Sequence, residues 1–500
     1  MTLMTNGYSQ DPYSSIALRI RNPKDAYGIT DSAGKTGFIF EGHKQYHVAL
    51  LDSTGKEYKN YIVNKTSGRR KEVIIGGNYG KDNFIVYLYN KRYNYFSSLI
   101  LNTNTGDYHY SDLKKLPDNE QYLRSFSMGD KFYILSVPKQ KNILHVYSIE
   151  GGAKIKESVY GIEMSTFYAS LNVNNNLLNE VAESTIGIET VRTRLDNNIK
   201  SAYPKKKLYY EQNKIYMTFD DPNATHLIVV DLDSTKSYYK KLNFSLEEGN
   251  NSPNKKGNSF LYDHKIFRAT INPLMMNITV IDLDSMTMVN SYNIYPEKEI
   301  EILNGPIVQE GGVAFVPTEE RVLHRTKQYF NRVLNGNISI AANRVDSNKV
   351  EVEVGSYEEI EVRGANSFGT PGFSFSMGMG MGMGGGFGLY NSPWSMLPYR
   401  GLYGYPGYYP YSSPTTRLRI VSFKTLLKDP DYRHIQGEAP LTIREKINQF
   451  IENNFRSESP ELYTITSLNE KKLLMGYYRK TRNRFDVVSF DRLAKDEQSN

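Results

Sequence analysis

The sequence predicts an all-β protein, a β-propeller of about seven blades (six to eight), and three observations lead there. A strand–turn–strand unit recurs along nearly the whole chain of 500 residues. Where copies follow one another directly they are spaced at about 50 residues, the span of a four-stranded blade. Tyrosine, with 40 residues against a single tryptophan, suits half-buried pleated surfaces.

The second strand of each unit reads most clearly: "YHVALLDSTGKEY" (Tyr46 to Tyr58), "LILNTNTGDYHY" (Leu99 to Tyr110), "LIVVDLDSTKSYY" (Leu227 to Tyr239), "ITVIDLDSMTMVNSY" (Ile278 to Tyr292), "LRIVSFKTLL" (Leu418 to Leu427) and "FDVVSFDRL" (Phe485 to Leu493). Partner strands precede them, among them "GFIFEG" (Gly37 to Gly42), "NFIVYLYN" (Asn83 to Asn90) and "KLLMGYYRK" (Lys472 to Lys480). "KFYILSVPKQKNILHVYSIEGG", ending at Gly152, is a seventh copy. Several partner strands open on tight-turn chemistry, such as Gly129-Asp130-Lys131 and Asp263-His264-Lys265, which returns one strand beside the next. The polar residue after each second strand marks the copies at Asp52, Asn102, Glu150, Asp231, Asp282, Lys424 and Asp491. Two gaps stand out as longer than the period. That from Glu150 to Asp231 is longer by about 30 residues and holds a polar, partly helical stretch around Leu177 to Leu195; that from Asp282 to Lys424 is longer by about 90. One ring over residues 11–500 accounts for this pattern, with a pair of β-sandwiches as the rival.

The longest gap is read as an insertion within the propeller, residues 318–416. It begins with a helix over 318–334, whose Val322, Leu323, Tyr329, Phe330, Val333 and Leu334 form one stripe stopped by Asn335-Gly336. A hairpin-like Val/Glu alternation follows over 349–362. A Gly/Met/Tyr-rich loop then runs over 364–414, with Arg400 as its single charged residue. Gly and Pro at this density prevent a regular element. A second short helix, Thr442 to Asn454, opens on the capping box Thr442-x-x-Glu445 and carries Ile443, Ile447, Phe450 and Ile451 on one face.

Bulk properties set limits on function. Hydrophobic content of 39% and charged content of 23% describe a soluble globular chain. The net charge of +7 is modest for the length. Its basic clusters, Gly68-Arg69-Arg70-Lys71 and Lys205-Lys206-Lys207, read as solvated turns and not as a nucleic-acid stripe. Cysteine is absent, which excludes disulfides, thiolate catalysis and cysteine metal sites. No apolar run reaches the roughly 18 residues of a membrane-spanning helix. Residues 1–10 end in "YSQ" before Asp11-Pro12 and read as the remnant of a signal peptide.

The chemical motifs tested resolve mostly to turns. Asp231/Asp233 and Asp282/Asp284 lack the further oxygen ligands of a calcium loop and read as strand-end caps. His43 and His47 stand four apart, but across a turn and without a third ligand. Met377, Met379, Met381 and Met383 offer thioethers, yet aromatics continue far beyond them, which favours a contact surface over copper. No nucleophile elbow, phosphate loop, dinucleotide fingerprint or zinc-protease motif occurs. Asp220-Asp221, Glu319-Glu320 and Glu358-Glu359 are paired carboxylates by type alone. No catalytic residue, cofactor or metal is expected.

The phrases "GDKFYILSVPKQKNILHVYSIEGG" and "KSAYPKKKLYYEQNKIYMTFDD", the Gly/Met/Tyr insertion and the ending "KLLMGYYRKTRNRFDVVSF" resemble exported β-propeller-like proteins of Bacteroidota. The resemblance covers most of residues 30–493 in style and has no diagnostic motif. It implies a cell-envelope location, periplasmic or outer-membrane associated, and supplies no catalytic residues. The expectation is therefore a non-enzymatic scaffold or protein-interaction subunit, with no nucleic-acid partner. Its contact residues would be Met377, Met379, Met381, Met383, Phe387, Tyr390, Trp394, Tyr399, Tyr403, Tyr405, Tyr408 and Tyr409, docking onto an outer-membrane or periplasmic protein complex. The alternative is a propeller that binds or cleaves polysaccharide; a cytoplasmic chain is a third reading.

Overall fold

The computed structural model describes residues 12–491 apart from 67–68, 70, 140, 164–187, 194–196, 248, 250, 312–319, 362–415, 456–461 and 468–471. The strands form seven sheets, the blades of a β-propeller. Blade 1 comprises Asp25–Thr30, Thr36–Glu41, Gln45–Leu51 and Glu57–Asn64. Blade 2 comprises Val73–Tyr79, Asn83–Asn90, Tyr95–Asn102 and Tyr108–Lys115, and blade 3 Glu120–Met128, Lys131–Pro138, Ile143–Glu150 and Lys154–Gly161. Blade 4 is built of Lys206–Glu211, Lys214–Asp220, Ala224–Asp231 and Lys236–Asn243, with Glu189–Thr190 added in parallel to its first strand. Blade 5 holds Lys256–Tyr262, Lys265–Ile271, Met276–Asp282 and Met288–Ile294. Blade 6 holds Asn337–Arg344, Lys349–Glu361 and Thr416–Lys428, bordered by Ile307–Gly311, Glu320–Leu323 and Arg433–His434. Blade 7 is Tyr463–Ser467, Lys472–Arg479 and Arg484–Asp491, completed by Pro12–Ala17. That last pairing joins the two ends of the chain and closes the ring.

The repeat visible in the sequence is the second and third strand of each blade. Six of the seven markers sit at the end of a third strand or directly after it, from Asp52 behind Gln45–Leu51 to Asp491. These middle strands are covered on both faces: Phe84, Val86, Tyr87, Leu88, Phe96, Leu99 and Leu101 of blade 2 are all fully buried. Each contributes about 1.5–3 kcal/mol relative to exposure. Fourth strands such as Tyr108–Lys115 and Lys236–Asn243 are largely exposed. First strands of blades 7 and 1, 1 and 2, 2 and 3, and 5 and 6 lie against one another, so the first strands face the axis.

Apolar clusters glue successive blades. Phe38, Phe40 and Phe485 join blades 7 and 1, and Ile39, Val48, Phe84 and Leu99 join blades 1 and 2. Tyr87 stacks on Phe132 at 3.9 Å between blades 2 and 3, and Phe126 on Tyr210 at 4.1 Å between blades 3 and 4. One cluster spans blades 4, 5 and 6.

Three short helices, not two, stand among the described residues: α1 (Ile199–Ala202), α2 (Thr326–Asn335) and α3 (Ile443–Asn454). The helix expected over 318–334 begins only at Thr326. Val322 and Leu323 belong to a strand that pairs Leu323 with Ile307 and covers the free edge of Ile307–Gly311. Tertiary pairing there overrides the helical stripe. The stop at Asn335-Gly336 is observed. The hairpin expected over 349–362 is instead one unbroken strand, Lys349–Glu361. Its turn-like Gly355 sits inside the strand because a Cβ would strike the Val421 carbonyl. The α3 capping box is present, with Thr442 and Glu445 each bonding the other's backbone. Its Ile443, Ile447 and Ile451 pack on Leu473, Met475 and Phe490 of blade 7.

Candidate functional site

Blade 6 departs most from its neighbours. Its second and third strands each have 13 residues, where those of blade 2 have 8. They stay paired from Lys349 opposite Lys428 to Glu361 opposite Thr416. Near the far end of this stem Arg419 pairs with Glu358, and the Tyr357 hydroxyl donates to Glu359 at 2.9 Å. Residues 362–415, between the two arms, lie outside the described residues. With them lie all the expected contact residues: Met377, Met379, Met381, Met383, Phe387, Tyr390, Trp394, Tyr399, Tyr403, Tyr405, Tyr408 and Tyr409.

The base of the stem explains the Val/Glu alternation. Val350, Val352 and Val354 join the cluster shared with blade 5. On the other face Glu351 and Glu353, 1% and 9% exposed, surround Lys424. The Lys424 ammonium reaches Glu351 at 3.3 Å and Glu445 of α3 at 2.8 Å, and the Ser422 hydroxyl donates to Glu353 at 2.7 Å. Burial opposes the charge on Lys424, but the Glu351, Glu445 and Glu353 carboxylates outweigh it and hold the ammonium above the ordinary lysine pKa. Lys424, read as a strand-end marker, is thus an interior strand residue that ties blade 6 to α3.

A second buried charge cluster joins blades 4 and 5. Asp220 accepts from Arg268 at 3.0 Å, Thr225 at 2.7 Å, Lys207 at 3.1 Å and the Ser259 N–H at 2.9 Å. Burial works against the Asp220 carboxylate, yet Lys207 and Arg268 pull its pKa below the ordinary value. Arg268 is fully buried and also donates to the carbonyls of Ala224 and Asp221. Gly257 admits its guanidinium, which a Cβ would strike. Lys207 therefore corrects the reading of Lys205-Lys206-Lys207 as a solvated turn: it is the strand position whose side chain turns inward. Arg69 of the other basic cluster pairs with Glu72 at 3.2 Å and with Asp112.

The remaining candidates separate in space. Asp231 Oδ1 accepts the N–H groups of Asp233 and Ser234, and Asp282 Oδ1 those of Asp284 and Ser285, which is the strand-end cap expected. Asp221 Oδ1 caps its own turn through Asn223 and Ala224, while Oδ2 meets buried His226 at 2.8 Å. Burial raises the Asp221 pKa, but His226 and the two N–H donors bring it down to about 2. Glu358 is engaged by Arg419; Glu319 lies outside the described residues.

His43 and His47 do not converge. His43 is exposed on its turn, whereas His47 is buried against Phe40 and accepts the Arg19 N–H at 3.4 Å. Burial, aided by Arg19, lowers the His47 pKa from 6.5 to about 4. The neutral ring is the folded form, so its contribution is complete above pH 6.5 and is lost as pH falls from 6.5 toward 4. The expected loss over that window is about 3 kcal/mol. Chemical denaturation of wild type and His47→Leu at pH 7.5 and pH 4.5 checks this: the wild type should lose more, and parallel losses would refute it.

Among the described residues no helix is long and apolar enough to cross a membrane. No protein-family model matches the chain, and no curated protein matches it. Solved structures similar to it include prolyl oligopeptidase B from Galerina marginata (8% identity, 66% of this chain and 38% of that chain, TM-score 0.31). A prolyl endopeptidase structure matches at 9% identity over 66% of this chain and 46% of that one, TM-score 0.29. A protein from Lactobacillus plantarum matches at 8% over 67% and 80%, TM-score 0.26. The matched part spans less than half of both prolyl peptidase chains. The assignment as a seven-bladed β-propeller rests on the chain's own strand pairing.

Proposed function

We propose that this propeller is a non-enzymatic scaffold, a protein-interaction subunit of the bacterial cell envelope that docks onto a partner through residues 364–414. The observation that supports it is the stem of blade 6. Two 13-residue strands, fixed at their base by buried charges, hold between them a long segment with Arg400 as the only charge in 364–414. Such a sequence is too rich in Gly and Pro to build a core of its own, and its Tyr, Trp and Met are the residue types enriched at interface centres. The partner is read as an outer-membrane or periplasmic protein complex, and the location as exported, on the strength of the Bacteroidota-like phrases. Deleting Phe368 to Tyr411 and isolating the protein from native envelope tests this. Co-purifying protein should disappear while the circular dichroism of the propeller stays unchanged; undiminished co-purification ends the proposal.

A further inference from the structure

By chain order, residues 188–203 belong to the crossover from blade 3 to blade 4, yet they reach blade 6. Arg124 of blade 3 donates to the Ile188 carbonyl. Glu189–Thr190 then pairs on the free edge of the first strand of blade 4, the edge that faces the axis. Residues 197–203 lie next to the first two strands of blade 6 before the chain returns to Lys206.

Blade 6 binds these residues chiefly through their backbone. The Asn197 N–H donates to Asn343 Oδ1 at 2.8 Å, and Asn343 Nδ2 donates to the Asn197 carbonyl at 2.6 Å, so one side-chain amide pairs as a neighbouring strand would. The Ser339 hydroxyl donates to the Ile199 carbonyl at 2.8 Å, and the Ile199 N–H donates to Glu353 at 3.4 Å. Ser339, Asn343 and Glu353 are all at least nine-tenths buried. Ile199 and Ala202 are buried side chains, and the Tyr203 ring stacks on Tyr357 at 4.4 Å. Main-chain hydrogen bonds combined with pockets for selected side chains are the physics of peptide recognition.

We propose that the sheet face of blade 6 carrying Ser339, Asn343, Glu353 and Tyr357 is a peptide-binding site that residues 197–203 (Asn-Asn-Ile-Lys-Ser-Ala-Tyr) fill in cis. The ligand class is a short peptide with a branched apolar side chain, a small residue three positions later and an aromatic ring next to it. α1 has only four residues, too few to hold its shape without the groove. Tethering gives the internal segment an effective concentration of millimolar order, so it shuts the site against weaker peptides. This inference is independent of the docking role given to residues 364–414.

The test uses the full chain with Asn197→Gly, Asn198→Gly and Ile199→Gly, titrated calorimetrically with the synthetic peptide NNIKSAY. Saturable binding is expected, at least tenfold tighter than to wild type, absent with a scrambled peptide and abolished by adding Asn343→Ala and Tyr357→Ala. A folded triple-glycine variant that ignores the peptide, or wild type that binds it equally, overturns the proposal. A second measurement covers failure to fold: Asn343→Ala alone should lower hydrogen-exchange protection at the Asn197 and Ile199 amides while blades 1 and 2 stay unchanged. Loss of protection across the whole ring would show the segment to be inseparable core and would equally overturn the site.

Discussion

Asp220→Ala is expected to lower the free energy of unfolding by about 3–5 kcal/mol, as removal of one partner from a buried ion cluster does. The carboxylate serves four donors, two of them the cations Lys207 and Arg268, whose side chains are wholly shielded from water. Truncation leaves both charges facing one another without the carboxylate between them. Asp220→Asn keeps the size and some of the hydrogen bonding, so its loss should be smaller. The replacement Lys207→Met, Asp220→Leu and Arg268→Met removes the charges together and should recover most of the deficit, because desolvation is then no longer charged against the fold. Denaturant unfolding of the three variants measures the series. If the triple variant were as unstable as Asp220→Ala, packing and not electrostatics would govern this junction.

That cluster also shows where sequence reading stops. The ring was legible because second and third strands are covered by neighbouring blades on both faces, which makes them near-continuous apolar runs such as Asn83–Asn90. Fourth strands face water and read as turns and linkers. Lys207 looked like a surface residue because it stands in a run of three lysines; only the alternation of the strand Lys206–Glu211 turns it inward. Glu351 and Glu353 show the same limit: period-2 alternation predicts a wet face, and nothing local says that Lys424 and residues 197–203 lie against it. The pairing of Asn197 with Asn343 carries no local signal, for neither residue lies in a periodic pattern that names its partner. The contact residues proposed from Met377 to Tyr409 are drawn from composition alone and lie outside the described residues.

Lys424→Met is the other substitution with a large expected effect, again about 3–5 kcal/mol. At the junction of blades 6 and 7 α3 stands between the sheets, with Glu445 both capping that helix and binding Lys424. Removing the ammonium leaves Glu351, Glu353 and Glu445 without their shared cation and frees the start of α3 from blade 6. The damage should therefore be directional. Hydrogen exchange should accelerate in Ile443–Asn454 and in the base of the stem, Lys349–Glu353, while the blade 1 and blade 2 strands keep their protection. Adding Glu351→Gln and Glu353→Gln to Lys424→Met removes two of the uncompensated charges and should return part of the loss, which distinguishes an electrostatic cause from a packing defect left by the shorter side chain. A uniform acceleration over all seven blades would mean that the ring unfolds as one unit, and that Lys424 fixes no particular joint within it.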